Sequence, residues 1–428
     1  MNSESKIRLA LLLVCSVMIS AYSASAQNKV ITIKNPATIN RDNELIILKR
    51  DFIEKKVGIL SGEERISIRS AKGSPLFIQF DDLTDDGNWD EVAFLYSFKG
   101  QEQVDLPISK SDIQIKPIIK AHVRQRIKNA DDSFGLLVYA DSVPAGQPNT
   151  DFTKQTLPSR LTEGPAWEND KVGFRIYMDV RNIKDIWGKT TSEMMMDTVG
   201  VDPKVIYHHL DKWGMDILAV GKSLGAGSLA LKVPLAGKAD TLVRLGGQNM
   251  GKMVYKMIAD GPIRAVFALS YPEWNVLGNG KLASLTEQIS IWGGQYFYQS
   301  EVTVKNAPKG AELVSGIVNL KSKKSSLLSY GSTRALYTFD TQSENKDQLG
   351  MALMVSKSNF VGIGQTPNVG SDILNTYTLQ MPIRSKAATT YRFYSAWEAS
   401  DSRFKTFDSF KKYLTDEAAL YNAALMIK

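Results

Sequence analysis

Cysteine is all but missing from this sequence. Of 428 residues one is cysteine, Cys15, and it sits inside an apolar stretch at residues 9–19. Basic Lys6 and Arg8 precede that stretch, and the small residues Ala24-Ser25-Ala26 follow it. Basic, apolar and A-x-A in that order read as a secretory leader. Residues 1–26 are therefore expected to be a cleaved signal peptide, and the mature chain to begin at Gln27 in the periplasm or outside the cell. Its apolar run is shorter than the roughly 20 residues a spanning helix needs, which disfavours an uncleaved anchor. Loss of Cys15 leaves no disulfide, no thiolate nucleophile and no cysteine-based zinc site. A chain of this length with 43% apolar residues can instead hold itself together by core burial.

Later apolar runs are too short to span a bilayer, so no membrane span is expected. Charge of one sign is also scarce. The formal net charge is +7, and losing Lys6, Arg8 and Glu4 with the leader lowers it by one. That excess does not point to nucleic acid. It fits a soluble anionic partner such as an acidic glycan, and equally no charged partner.

Helical periodicity is rare. Short β-branched runs broken by Asn, Asp and Gly recur, among them Val30-Ile31-Thr32-Ile33, Leu45-Ile46-Ile47-Leu48, Ile289-Ser290-Ile291-Trp292 and Tyr391-Arg392-Phe393-Tyr394. The exception is the C-terminus, where Phe407, Phe410, Leu414, Ala418, Tyr421 and Leu425 recur at three- and four-residue steps behind Thr406, a suitable N-cap. The expected architecture is mainly β: a small N-terminal β-sandwich over residues 28–115, then a large antiparallel β-sandwich over 116–428 closed by a short helix. The boundary is placed by Ser109-Lys110-Ser111-Asp112, which follows the last strand of the first unit.

Three local motifs fail on context. The acidic loop at residues 82–91 alternates oxygens and carries Gly87 as a calcium loop would, but Thr84 holds the third position and Ala93 stands where a bidentate Glu belongs. A solvated hairpin loop fits it as well. Gly221-Lys222-Ser223-Leu224-Gly225 matches a nucleophile elbow, yet every histidine precedes Ser223. Gly225-Ala226-Gly227-Ser228-Leu229-Ala230 matches a dinucleotide fingerprint without a βαβ unit around it. Those glycines are expected instead to let the backbone pass close to a neighbour. No cofactor and no metal site is expected.

Histidine is scarce too, and two of the three stand together in Tyr207-His208-His209, with Asp211, Trp213, Gly214 and Asp216 close behind. Neighbouring side chains diverge, so the pair does not suit one metal. Tyr207 and His208 suit proton transfer, since an imidazole works near neutral pH; a hydrogen-bonded loop histidine is the plainer alternative. Upstream, Trp167-Glu168-Asn169-Asp170 leads into an alternating run in which Gly173, Arg175 and Tyr177 share a face opposite Val172, Phe174 and Ile176. Arg175 beside Tyr177 fits a carboxylate or sulfate clamp, and equally a buried ion pair. His122 beside Arg124 and Arg126 could form a second anion-binding face or a solvated basic one.

These stretches, with Val220-Gly221, Gly225 and Gly227, the Asp-rich loop and the strand-helix ending, resemble a family of exported Bacteroidota proteins catalogued as a domain of unknown function. Its members are encoded beside polysaccharide lyases and glycosidases for acidic plant and algal glycans, and it is similar to ulvan- and pectin-type oligosaccharide dehydratases. The resemblance implies a fold similar to the galactose-mutarotase-like β-supersandwich. It also implies β-elimination on the non-reducing-end uronate of an acidic oligosaccharide. Arg175 would neutralise the substrate carboxylate, and Tyr207 and His208 would serve as base and acid. Trp167, Glu168, Asn169, Tyr177, Asp216, His122 and Trp213 would bind substrate. Some relatives carry G-E-G-x-D where this chain has Trp213-Gly214-Met215-Asp216. Two other classes stay open: a glycan-binding protein using Trp167, Trp187, Trp213 and Trp274 as stacking platforms, and a chain-cleaving lyase or a glycoside hydrolase using Glu168 and Asp216.

Overall fold

A computed structural model describes residues 29–111 and 115–428. The leader at residues 1–26, the expected start of the N-terminal unit at residue 28 and Asp112 of the expected boundary lie outside the described residues. The architecture is mainly β and antiparallel, as the short β-branched runs predict. Nine strands form the central sheet, running from Ala140–Val143 through Met253–Asp260, Arg264–Trp274, Ala283–Trp292, Phe297–Lys305, Thr389–Trp397, Leu349–Ser356 and Thr333–Asp340 to Ser326–Tyr330. Alternation along these strands decides their faces. In Ala283–Trp292, Leu285, Ile289 and Ile291 are buried while Thr286 and Gln288 are exposed. The buried face shares one core with the inner faces of two five-stranded sheets, a core that takes in Trp167, Phe174, Phe267, Tyr298 and Phe393. Its inward row includes one carboxylate, Glu287, answered by Lys184 Nζ at 2.5 Å.

Gly225 has φ +52°, and a Cβ there would lie 2.2 Å from the Lys184 carbonyl oxygen, the close backbone approach expected of the glycine cluster. Outside the central sheet lies the helix Phe407–Asn422, whose Thr406 side chain accepts from Ser409 N–H as N-cap. Phe410, Leu414 and Ala418 bury against Ala335, Tyr337, Ala352 and Met354. The helix ends before Leu425, which packs into the N-terminal unit instead.

That unit has its own core beneath a three-stranded sheet, a four-stranded sheet and the helix Arg50–Val57. The last strand, Met426–Ile427, pairs with Val30–Lys34, so the end of the chain closes the N-terminal unit. Arg264 of the central sheet reaches across to Asp81 at 2.6 Å and to Glu91. In the acidic loop, Asp82 accepts from the N–H groups of Asp85 and Gly87, and Asp90 from those of Leu83 and Thr84. Those carboxylates are engaged by their own turn.

One five-stranded sheet, ordered Gly214–Asp216, Lys184–Lys189, Val172–Ile176, Ala166–Asn169, Ala121–Arg124, carries charge on the face turned away from the core. There Lys189 Nζ meets Glu168 at 2.5 Å with both side chains fully buried. His122 lies between Asp260, 2.9 Å from Nδ1, and Asp197, 3.2 Å from Nε2. Neither a solvated face nor a second anion site results: Arg124 is fully buried, and its guanidinium donates to the carbonyls of Leu161, Gly164 and Met196. Arg126 likewise donates to the carbonyls of Phe134, Gly135 and Asp197. His122, expected to bind substrate, is a clamp between two segments because both of its ring nitrogens face carboxylates.

Burial opposes charge on His122, but hydrogen bonds to Asp197 and Asp260 and their negative charges outweigh it and push its pKa up to about 10. A raised pKa stabilises the fold fully below the unperturbed value of 6.5, and that stabilisation is lost as pH rises through the folded-state value. His122→Gln should therefore lower the melting temperature by about 2 °C or more near pH 6, with the gap to wild type closing toward pH 10. Thermal melts of both proteins across this range test it, and a gap that does not change with pH would show that His122 carries no extra proton.

Candidate functional site

The site grows from Arg175, whose alternation puts it on the outer face of its strand, opposite Val172, Phe174 and Ile176. Asp185 is its cross-strand partner, and Asp216 stands one strand further on, opposite Trp187. Arg175 Nη2 reaches Asp185 Oδ2 at 2.9 Å, Asp216 Oδ2 at 2.7 Å and the Tyr177 hydroxyl at 2.6 Å. Aromatic rings enclose the cation, with Tyr177 and Trp187 4.6 and 4.8 Å from its carbon centre. Burial, reinforced by Asp216 beside it and resisted by Arg175, pushes the Asp185 carboxyl up to about 7.

Asp216 carries the arrangement outward. Its N–H donates to the Tyr207 carbonyl at 2.9 Å, and its Oδ2 lies 3.4 Å from His208 Nδ1. The hydrogen bond to Asp216 raises the His208 pKa above the ordinary histidine value, against the opposing effect of partial burial. The Tyr207 and His208 rings are 4.5 Å apart, and Tyr207 leans edge-on against Trp187 at 5.2 Å. Tyr207 is half-buried, while the His208 side chain is 60% exposed and open to a ligand.

Arg175, Tyr177, Tyr207 and His208 line one pocket of about 330 Å³, walled by Thr162, Glu163, Phe152 and Asp202. The wall is strained: Thr162 and Glu163 have φ of 50° and 68°, a region that a β-branched residue seldom enters. Arg124 holds it there, donating to Leu161 O at 2.6 Å, Thr162 Oγ1 at 2.9 Å and Gly164 O at 3.1 Å. Gly200, with φ +80°, lets the covering loop pass close to Thr162 and Tyr207, since a Cβ there would come within 2.7 Å of Thr162 Cγ2. Arg175 Nη1 is buried with no hydrogen-bond partner among the described residues, so one nitrogen of the fork is left without an acceptor.

Of the expected site residues, the pocket gathers Arg175, Tyr177, Tyr207 and His208, with Asp216 directly behind. The others are elsewhere. Trp167 is fully buried and stacks on Phe174 in the core. Glu168 is spent on Lys189 and on the N–H groups of Met195 and Met196. Asn169 donates to the carbonyls of Trp292 and Gln295 and accepts from Lys171 and Val172 N–H. Trp213 packs on Trp187 beneath the loop, and Trp187 and Trp274 are fully buried. No tryptophan among these four is a stacking platform, because none shows a ring to solvent. Phe152, 54% exposed, is the aromatic at the pocket mouth. Sequence reasoning missed it, as it missed Asp185, Thr162 and Glu163; only Asp185 had a signal, as the residue facing Arg175 across a hairpin. Arg175 itself is 2% exposed and already shared by two carboxylates. It orients Asp216 through a buried ion pair, the alternative that stood beside the carboxylate or sulfate clamp. Among the described residues no cluster of three or more His, Cys, Asp or Glu has metal-holding geometry, and no helix is long and apolar enough to cross a membrane.

The curated relative "Uncharacterized protein P7" of Formosa agariphila is 24% identical over 426 residues, covering 95% of each chain. Among solved structures, an α-mannosidase from Enterococcus faecalis V583 superposes with a TM-score of 0.47 at 9% identity over 93% of this chain and 45% of its own. A glycosyl hydrolase family 38 protein from Enterococcus faecalis gives 0.46 at 8% identity, covering 94% and 48%. This chain spans less than half the length of either solved protein. Residues 33–427 match the family described as "Domain of unknown function (DUF4861)", and the chain belongs to that family.

Proposed function

We propose that this protein is an exported carbohydrate-active hydro-lyase that removes water from the non-reducing-end uronate of an acidic oligosaccharide. The observation that carries the reading is the convergence of Tyr207, His208 and the Arg175 cation on one pocket with an exposed aromatic at its mouth. Elimination needs a base for the C5 proton, an acid for the departing C4 oxygen and positive charge beside the carboxylate that acidifies C5. His208, held toward its charged form by Asp216, supplies the acid, and its imidazolium with the Arg175 cation supplies the positive field. Tyr207 is the group placed to take the C5 proton through its phenolic oxygen. The C5–H and C4–O bonds break, the C4–C5 double bond forms, and the His208 proton leaves with the hydroxyl as water. Phe152 gives the sugar ring an apolar face to rest on. The resemblance to uronate-acting dehydratases favours water over a sugar as leaving group, and the polysaccharide-locus setting belongs to the same reading. A hydrolase built on Glu168 and Asp216 loses support, because Glu168 is fully buried against Lys189.

The test is turnover of short uronate-terminated oligosaccharides, followed by mass and by the ultraviolet absorbance of the conjugated product. Loss of one water with rising absorbance is expected; a saturated product would sink the elimination chemistry, and chain cleavage with rising absorbance would replace water by a sugar. His208→Ala and Tyr207→Phe should each lower kcat by about 10²- to 10⁴-fold while the circular dichroism spectrum is kept. Wild-type turnover in either variant removes that residue from the mechanism.

Arg175→Lys supplies a separate check. Lysine keeps the charge but cannot bridge Asp185, Asp216 and Tyr177 together while presenting a further N–H. A fall in kcat larger than any rise in KM is expected, because the loss falls on the orientation of Asp216 and His208. A rise in KM alone would return Arg175 to a simple binding role.

A further inference from the structure

The loop over the Tyr207–His208 pocket keeps large apolar side chains in water. Val205 is 54% and Ile206 59% exposed, and Val201 and Leu210 of the same loop are exposed too. The loop's own turns hold its backbone, with Val201 N–H donating to the Thr198 carbonyl at 3.3 Å and Val205 N–H to that of Asp202 at 3.1 Å. Tyr207 leans in on Trp187, while the two residues before it belong to none of the hydrophobic cores. Both line the pocket that holds His208, as does the exposed Phe152 from a separate loop. Single exposed apolar residues need no explanation, but three gathered at one pocket beside polar groups fit the apolar part of a ligand. The cations of the lining are Arg175 and His208, and Asp202 adds an exposed carboxylate on the same loop as Val205. A second anionic group would therefore find no free cation at this wall, whereas an apolar group would cover side chains now in water.

We propose that Val205 and Ile206, with Phe152, form a subsite for an apolar group attached at C1 of the bound uronate. This rests on the uronate reading above. In a pyranose C1 lies across the ring from C4, so a ring with C4 and C5 at His208 and Tyr207 carries its C1 substituent toward the mouth. The Tyr207→Phe protein, which lacks the assigned base but keeps its ring, is titrated calorimetrically with methyl and phenyl β-glucuronide and with methyl and phenyl β-glucoside. Phenyl glucuronide should bind about tenfold or more tighter than methyl glucuronide. Adding Val205→Ser and Ile206→Ser together should bring that ratio to within about twofold of one, with the circular dichroism spectrum kept because both positions are exposed. A phenyl preference in the glucosides alone would keep the subsite and remove the uronate from the first reading. A preference in the glucuronides with no ultraviolet product from the wild-type protein would keep the subsite and sink the elimination. Equal binding of phenyl and methyl compounds in both pairs, no binding of any of them, or a phenyl preference that survives the paired serine substitutions would each overturn the subsite.

Discussion

The Arg175 guanidinium, buried on the outer face of a β-sheet, is the interaction on which the site depends. A charge removed from water is tolerated only with partners in good geometry, and here they come from three consecutive strands: Arg175 from one, Asp185 from the next, Asp216 from the third. Asp216 then reaches Tyr207 through its backbone and His208 through its side chain. Displacing Arg175 would leave two adjacent buried carboxylates unopposed and release the histidine from its orienting group. One cation thus couples the stability of the sheet to the placement of the exposed pair.

The same reasoning explains the rest of the polar layer. A sheet with one face in the core and the other under a long loop must satisfy every charged group beneath that loop. Lys189 with Glu168, His122 with Asp197 and Asp260, and Arg124 with three carbonyls each do so. Glu168 also accepts from Met195 and Met196 N–H, so the loop is fastened to the sheet at residues 195–197 and again at Asp216. The strained Thr162–Glu163 wall persists because Arg124 over-determines it. The pocket is therefore preorganised by groups that never meet a ligand.

Much of this was legible in the sequence, for identifiable reasons. Short β-branched runs pointed to the mainly β architecture, and period-two alternation placed Arg175 and Tyr177 on the face opposite Phe174. The rarity of histidine singled out Tyr207-His208. What alternation cannot say is what lies above the outward face. Trp167 and Glu168 adjoin in sequence, yet one points into the hydrophobic core and the other into the polar layer, and both are sealed from solvent. A polar-aromatic cluster that reads as a binding motif is here the means of joining loop to sheet. Phe152 carried no signal, because its proximity to His208 arises only when two distant loops meet. The helix Arg50–Val57 was missed for another reason: eight residues offer a single i, i+4 apolar pair, Ile53 and Val57, too little periodicity to register.

Trp213 shows how the layer constrains its own chemistry. The resemblance allows a glutamate there, and in this chain the position is filled by a ring packed on Trp187, which itself lies against the Arg175 cation. The layer already holds Glu168, Asp185 and Asp216, and Asp185 is driven toward its neutral form by burial with Asp216 beside it. A further carboxylate would compete for the same guanidinium, and the loser would have to take up a proton. An indole instead excludes water behind Arg175 and strengthens the attraction between its charge and Asp216. The ring at position 213 thus gives the Arg175–Asp216–His208 chain a drier setting, and the groups that open on the pocket include Tyr207, His208, Phe152 and Glu163.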